Sequence, residues 1–324
     1  MVIQISLNAI IFYDPPMVCR LIEMPVTSKV LQRLEEYSIE LQKSRSITHG
    51  HINFIVSSNL HRICRDLGDD ACVEAMEDIA YVSPQFSCLI AFMNVGGILT
   101  RQYFGVDDTA TVGIYEQTYH LSNIATKFTN AGPFIILEGS KIIPYLNVVD
   151  SVIILGCKGR SYGLGLLSYT QVEEIHVETL SGLSTGISYV TINTKLQNSQ
   201  FVEIDKNEAL SILGRLYLYL SGGIIGMMKR LHDELKGWIH TSRLKSIAWP
   251  EKPGTIGDIA GTSKHYGRLI DIMRDIVAWS IDAIPWEVIQ AGSLMELYVR
   301  CLTETMALAS MTIHMMRRIS MQAP

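Results

Sequence analysis

Few side chains in this sequence stand at spacings that could do chemistry. His49-Gly-His51, with His61 and Cys64 downstream, supplies imidazoles and a thiol, the donors zinc prefers, but nothing pairs them into a complete ligand set. Scattered core or surface histidines are the reading taken, and no metal site is expected. Gly163-x-Gly165 has phosphate-loop glycines, yet it opens a strand and not a strand-to-helix turn. Ser122-Asn123 suits a turn whose side chains bond their own backbone. Arg243 closes a long helical stretch, where a cation faces the helix dipole. Cysteines stand at 19, 64, 72, 88, 157 and 301 with no C-x-x-C, a pattern of core thiols in a reducing compartment.

The elements that must position these groups come in three textures. A chain of 324 residues with 48% hydrophobic and 18% charged residues has ample core and is not disordered. A net charge of −5 argues against nucleic acid as a partner, because phosphate binding needs clustered Lys and Arg. The stretch from Ile79 to Thr100 holds no Asp, Glu, Lys or Arg, but Pro84, Gln85, Asn94 and Gly96-Gly97 make it a buried helix and not a membrane span. No positive region precedes the apolar N-terminal patch, so no secretory signal is read, and a cytoplasmic location without membrane partners is expected.

Residues 1–108 read as an all-α domain. Val30, Leu31, Leu34, Tyr37 and Leu41 recur at helical spacing, a helix covers Asp69–Tyr81, another runs from Gln85 to Tyr103, and Gly105 closes the region. Residues 109–205 are rich in Val, Ile, Thr and Tyr and give eight short candidate strands: Thr111–Tyr115, Ala125–Thr129, Phe134–Glu138, Ser151–Gly156, Gly163–Tyr169, Glu174–Thr179, Tyr189–Thr194 and Gln200–Ile204. Their spacing predicts a small antiparallel sandwich or barrel. Residues 206–324 return to helix as a C-terminal bundle, led by one long helix over Glu208–Leu244. Gly222, Gly223 and Gly226 within it each cost about 1 kcal/mol of helix propensity, which makes sense where a helix or ligand packs closely.

This α+β order resembles the acyl-CoA dehydrogenase-like fold, and segments resemble its motifs. Residues 71–105 resemble the family's pair of N-terminal helices ending in Phe-Gly. GIYEQTYHLSN at 113–123 sits where the family carries A-L-T-E-P-x-A-G-S-D. Residues 136–156 are similar to its L-x-G-x-K-x-[FWY]-I-[TS]-N strand pair, and 161–169 to its G-x-S-A-F-L-V strand. Residues 221–243 resemble the long helix that ends in T-R-x-Q-F-G, and 256–273 its P-I-G-x-F-Q-x-x-K-H segment.

The resemblance implies an oxidoreductase holding FAD between the β domain and the C-terminal bundle and acting on an acyl thioester of CoA or an acyl carrier protein. It implies a homodimer or homotetramer, or a hetero-oligomer with a homologous subunit. The residues it carries to the cofactor are Glu116, Gln117, Ser122, Asn123, Tyr145 and Arg243. Ser122 keeps the family's hydroxyl, while Asn123 has an amide for its carboxylate. Tyr145 falls near the position beside flavin N5, and Arg243 matches the arginine that reaches a neighbouring subunit's pyrophosphate with its bidentate fork.

No catalytic base carries over. The commonest position lies in a segment expected beyond Pro324, and the alternative aligns near Gly214–Leu216, where no carboxylate stands. Glu208 lies one to two turns earlier. The alternative function is therefore a non-redox, flavin-free descendant that uses the fold for thioester binding, other chemistry or assembly.

Overall fold

The computed structural model describes residues 26–44, 47–107, 109–114, 116, 124–168, 171, 176–179 and 187–241. Helices come first: α1 Ser28–Ser44, α2 His49–Ser57, α3 Ile63–Leu67, α4 Asp69–Val82 and α5 Pro84–Leu99. Helix α1 buries Leu34, Ser38 and Leu41, one face at helical spacing. Helix α5 starts on Pro84, whose missing N–H falls where no helical bond is made. It is buried nearly all round, as its uncharged sequence predicts.

The reading of helix up to Tyr103 needs one refinement. Regular helix ends at Leu99, and Thr100–Phe104 forms a π turn closed by Gly105 at φ +69°. The Thr100 hydroxyl donates to the carbonyls of Gly96 and Gly97 inside the last turn, and such insertion favours a widened turn.

His51 holds α2 in place. Its Nδ1 accepts the Thr48 backbone N–H at 3.0 Å, while Tyr37 and Phe86 pack edge-on against its ring. Burial lowers its pKa, with Glu40 opposing. The unfolded chain therefore takes up the proton first, so this contribution is present above the ordinary imidazole range and lost as pH falls below it. We expect the urea midpoint to drop between about pH 7 and 5 and His51→Asn to flatten that slope. An equal slope in the variant would contradict this.

All eight expected strands form, with shifted ends: β1 Ala110–Gly113, β2 Lys127–Ala131, β3 Phe134–Pro144, β4 Ser151–Lys158, β5 Ser161–Ser168, β6 His176–Thr179, β7 Ile187–Gln197 and β8 Phe201–Ile204. They make one sheet in the order β6-β7-β3-β2-β4-β5-β8, with β1 also on β4. The pairing is mixed and not purely antiparallel. β1 runs parallel to β4 from Ala110–Ser151 to Gly113–Ile154, and β2 meets the same edge parallel at Lys127–Cys157. The chain leaves this edge after β1 and returns to it at β2, so both segments point the same way.

Two cores result. Val152 and Ile154 of β4 join Phe128, Leu137, Val190 and Ile192 inside the sheet. Ile153 and Leu155 turn the other way, into the core shared with the helices. Cover on both faces explains the unbroken apolar run of β4.

The last described element is α6, Lys206–Thr241, which packs on α4 and α5. Its stretch Lys206–Met227 is long and apolar enough to cross a membrane by length and composition, and 67% of its most apolar window is buried inside the protein. A Cβ on Gly226 would lie 2.0 Å from the Glu77 carbonyl oxygen, and one on Gly222 would lie 2.7 Å from that of Val73. The glycines thus serve close contact with a neighbouring helix, α4. Lys229 closes the crossing by donating to Glu77 at 2.7 Å. The expected loop at Trp249–Gly257, the later helices and the methionine-rich segment lie outside the described residues.

Candidate functional site

The loop between β1 and β2, where the resemblance puts the flavin-side segment, is closed at its base by a buried ion pair. Glu116 accepts the N–H groups of Ala125 at 2.6 Å and Thr126 at 3.0 Å. It also accepts from Lys141 Nζ at 2.7 Å, and that ammonium donates to the Ile114 carbonyl at 3.2 Å. One lysine and one glutamate therefore tie residues 114, 116, 125 and 126 together. The return to the sheet is fixed by Cys157 N–H on the Thr126 carbonyl at 2.8 Å.

Both charged side chains are out of water, with Lys141 fully buried and Glu116 only 8% exposed. Burial pushes the Glu116 carboxyl up, but Lys141 and the two amides outweigh it and hold it below the usual range. Burial also lowers the Lys141 ammonium, which Glu116 opposes.

Lys141 falls on the lysine of the L-x-G-x-K segment but takes no role in the sequence reading, because a lysine reads as a surface residue. The signal was parity: Ile135, Leu137 and Ile143 point inward along β3, and Lys141 shares their register. Gly139 is also in step, at φ +154°, where a Cβ would lie 2.4 Å from Thr126 Oγ1. A side chain there would push the returning loop off the strand.

Tyr145 follows β3 in the left-handed region at φ +62°. Its ring is buried, and its hydroxyl donates to the Gln85 carbonyl at 3.2 Å, joining the sheet to the first turn of α5. Burial, then Cys88, raises its pKa well above the ordinary phenol range. Glu116 and Tyr145 are thus both hydrogen-bonded within the protein. Gln117, Ser122, Asn123 and Arg243 lie outside the described residues.

The positions considered for a base are also settled in geometry. Glu208 caps α6: its carboxylate accepts the Asp205 N–H at 3.0 Å, and Asp205 accepts the Glu208 N–H at 2.8 Å. Its other oxygen accepts the Tyr103 hydroxyl, whose pKa is pushed up to about 12 by burial and then by Glu208. At the alternative position stands Arg215, with Nε 3.3 Å from Asp69 Oδ1. The same oxygen accepts the Tyr219 hydroxyl and the Cys64 thiol. Burial, then the neighbouring thiols and Asp69, push Tyr219 well above the phenol range.

A carboxylate therefore does reach this place, brought from α4 and not from α6. Sequence reading missed it because about 150 residues separate the two partners. Among the described residues, no group of three His, Cys, Asp or Glu is placed to hold a metal.

No protein-family model matches the sequence, and no curated protein is similar to it by sequence. Solved structures do share its fold. FkbI, titled for biosynthesis of a methoxymalonyl extender unit, superposes with a TM-score of 0.72 at 11% identity, covering 89% of this chain and 88% of its own. Apo-form PigA gives 0.69 at 12% identity over 92% and 89%. FMN-bound TdsC from Paenibacillus sp. A11-2 gives 0.65 at 11% identity over 86% and 82%. An FAD-dependent dehydrogenase gives 0.65 over 86% of each chain. The chain has the fold of acyl-CoA dehydrogenase-like flavoproteins.

Proposed function

We propose that this chain is a flavin-dependent oxidoreductase that acts on an acyl thioester carried by CoA or an acyl carrier protein. One observation carries the reading. The helix–sheet–helix order, over most of the chain, superposes on FMN-bound TdsC and on an FAD-dependent dehydrogenase. Fold alone does not fix activity, so the site must be argued separately. The proposed cofactor is FAD, between the sheet and a C-terminal bundle that α6 begins. Gln117, Ser122, Asn123 and Arg243 hold it, and the Glu116–Lys141 pair sets the base of the loop that carries the first three. When bound, the flavin supplies a two-electron acceptor. The assembly is a homodimer or homotetramer, or a pair with a homologous subunit, in the cytoplasm.

The described carboxylates support a narrower form of this reading. Glu208 caps a helix and Asp69 is held by Arg215, so neither stands free to take an α-proton. The form that fits is a flavin monooxygenase of this fold, or an enzyme whose base comes from a partner subunit.

Mixing the flavin-loaded protein with acyl-CoA and an electron acceptor tests the thioester part. Turnover above the flavin-only background is expected if a partner completes the site. A reduced-flavin assay in oxygen that oxygenates an acyl thioester is expected for the monooxygenase. Silence in both assays would sink the thioester reading.

A second reading is the flavin-free descendant. It is supported by the inward engagement of Tyr145 and Glu116, two of the residues that the resemblance carries to the cofactor. A protein that stays colourless after flavin is added would decide for it.

A further inference from the structure

We propose that the cavity between α3, α4, the π turn and α6 is a binding site for a phosphate or diphosphate group. It is an open cleft of about 510 Å³ lined by Cys64, Arg65, Asp69, Arg101, Gln102 and Arg215, among others. Three guanidiniums from three separate elements line it together with the Asp69 carboxylate, while Asp66 and Asp107 pair with two of them from outside the lining. A guanidinium presents paired N–H groups that match phosphate oxygens.

The three arginines are not equally committed. Arg215 is three-quarters buried, with its side chain 24% exposed. Its one partner among the described residues is Asp69, which already accepts from Tyr219 and Cys64. Its buried Nε, although 3.3 Å from Asp69 Oδ1, has no hydrogen-bond partner among the described residues. A cation so far from water gains more from an incoming anion than an exposed one does.

At the rim, Arg65 pairs with Asp66 at 3.0 Å and also with Asp107. Arg101 lies 3.8 Å from the same Asp107, and both side chains are 61% exposed. Arg65 is only 19% exposed, but the Arg101–Asp107 pair sits in water and is weak, so a phosphate can take the place of Asp107 on Arg101 at little cost. The π turn places Arg101 and Gln102 on the cavity together. Gly68, at φ +96° with open space where a Cβ would stand, leaves the wall at the start of α4 clear. The volume admits a diphosphate with part of the molecule that bears it.

This site does not depend on the flavin reading, and calorimetric titration of the full chain tests it. The probes are inorganic phosphate, inorganic pyrophosphate and ADP. Saturable heat is expected with pyrophosphate, weakened about tenfold or more by Arg101→Gln, roughly the loss of one charge-assisted bond. Arg215→Gln is expected to weaken it further, but it also leaves Asp69 without its cation and can unfold the chain. Arg101 is exposed, so Arg101→Gln and Arg101→Glu keep the test decisive.

Tighter binding of ADP than of pyrophosphate identifies a nucleotide-borne group; equal binding identifies the diphosphate itself. No saturable heat with any probe, or unchanged affinity in both Arg101 variants, overturns the proposal. Displacement of bound flavin by pyrophosphate would place the phosphate at the flavin instead and equally overturn it.

Discussion

Lys141→Met is expected to destabilise the protein by about 3–5 kcal/mol, because it leaves the Glu116 carboxylate buried without its cation. The loss reaches beyond the pair. Glu116 also accepts the Ala125 and Thr126 amides, so a protonated or displaced Glu116 releases the loop base as well. Glu116→Gln keeps one acceptor for those amides but strands the Lys141 ammonium, so a similar cost is expected. The double variant Lys141→Met with Glu116→Gln removes both charges together. Its cost is expected to fall well short of the sum of the single costs. Urea melts of the four proteins check this, and strict additivity would show that the two side chains do not act as a pair.

The same pair sets an acid limit. The folded chain holds the Glu116 carboxyl below its ordinary range, so its stabilisation is present above that range and lost as pH falls through the folded value. In Lys141→Met the carboxyl loses its cation and its folded value rises, so that acid-side loss is expected to shrink.

Gly226→Leu is expected to separate α4 from α6. A Cβ alone at this position would stand 2.0 Å from the Glu77 carbonyl oxygen and 2.8 Å from its carbon, both rigid backbone atoms. Gly226→Ala adds only that atom and gains about 1 kcal/mol of helix propensity, yet a net loss of roughly 1–3 kcal/mol is expected as the helices shift. Leucine adds more volume to a contact that cannot take the first atom, so its loss is larger. Gly50→Ala is the control: its Cβ would meet only Thr48 Oγ1 at an ordinary 3.5 Å, and little change is expected. Thermal melts measure all three, and a Gly226→Ala protein as stable as the parent would refute the close crossing.

Much of this architecture could be read from local sequence, for a physical reason. Strand and helix periods are short-range properties, so the eight β runs and the helices α1, α4, α5 and α6 were each visible in a window of some ten residues. Gly105 behaved as a C′ glycine should, in the left-handed region. What escaped was long-range. The parallel pairing of β1 with β4 joins residues about forty apart and leaves no local mark.

The candidate site divides in the same way. The carboxylate at 116 was picked out, but its partner Lys141 was not, since a lone lysine in a strand reads as surface. Arg215, Asp69, Tyr219 and Cys64 come together from α3, α4 and α6, and none of their local contexts announces the others. The three glycines of α6 were noticed as a cost to the helix; the structure supplied the α4 backbone that requires two of them.

The central claim is that this fold still holds a flavin, and the visible spectrum of the purified full chain tests it most directly. The account predicts flavin absorption, either as isolated or after incubation with FAD or FMN and removal of the excess, at roughly one flavin per chain. Chromatography of the released cofactor then tells FAD from FMN. A colourless protein that retains neither cofactor would contradict the account and leave the fold as a flavin-free scaffold.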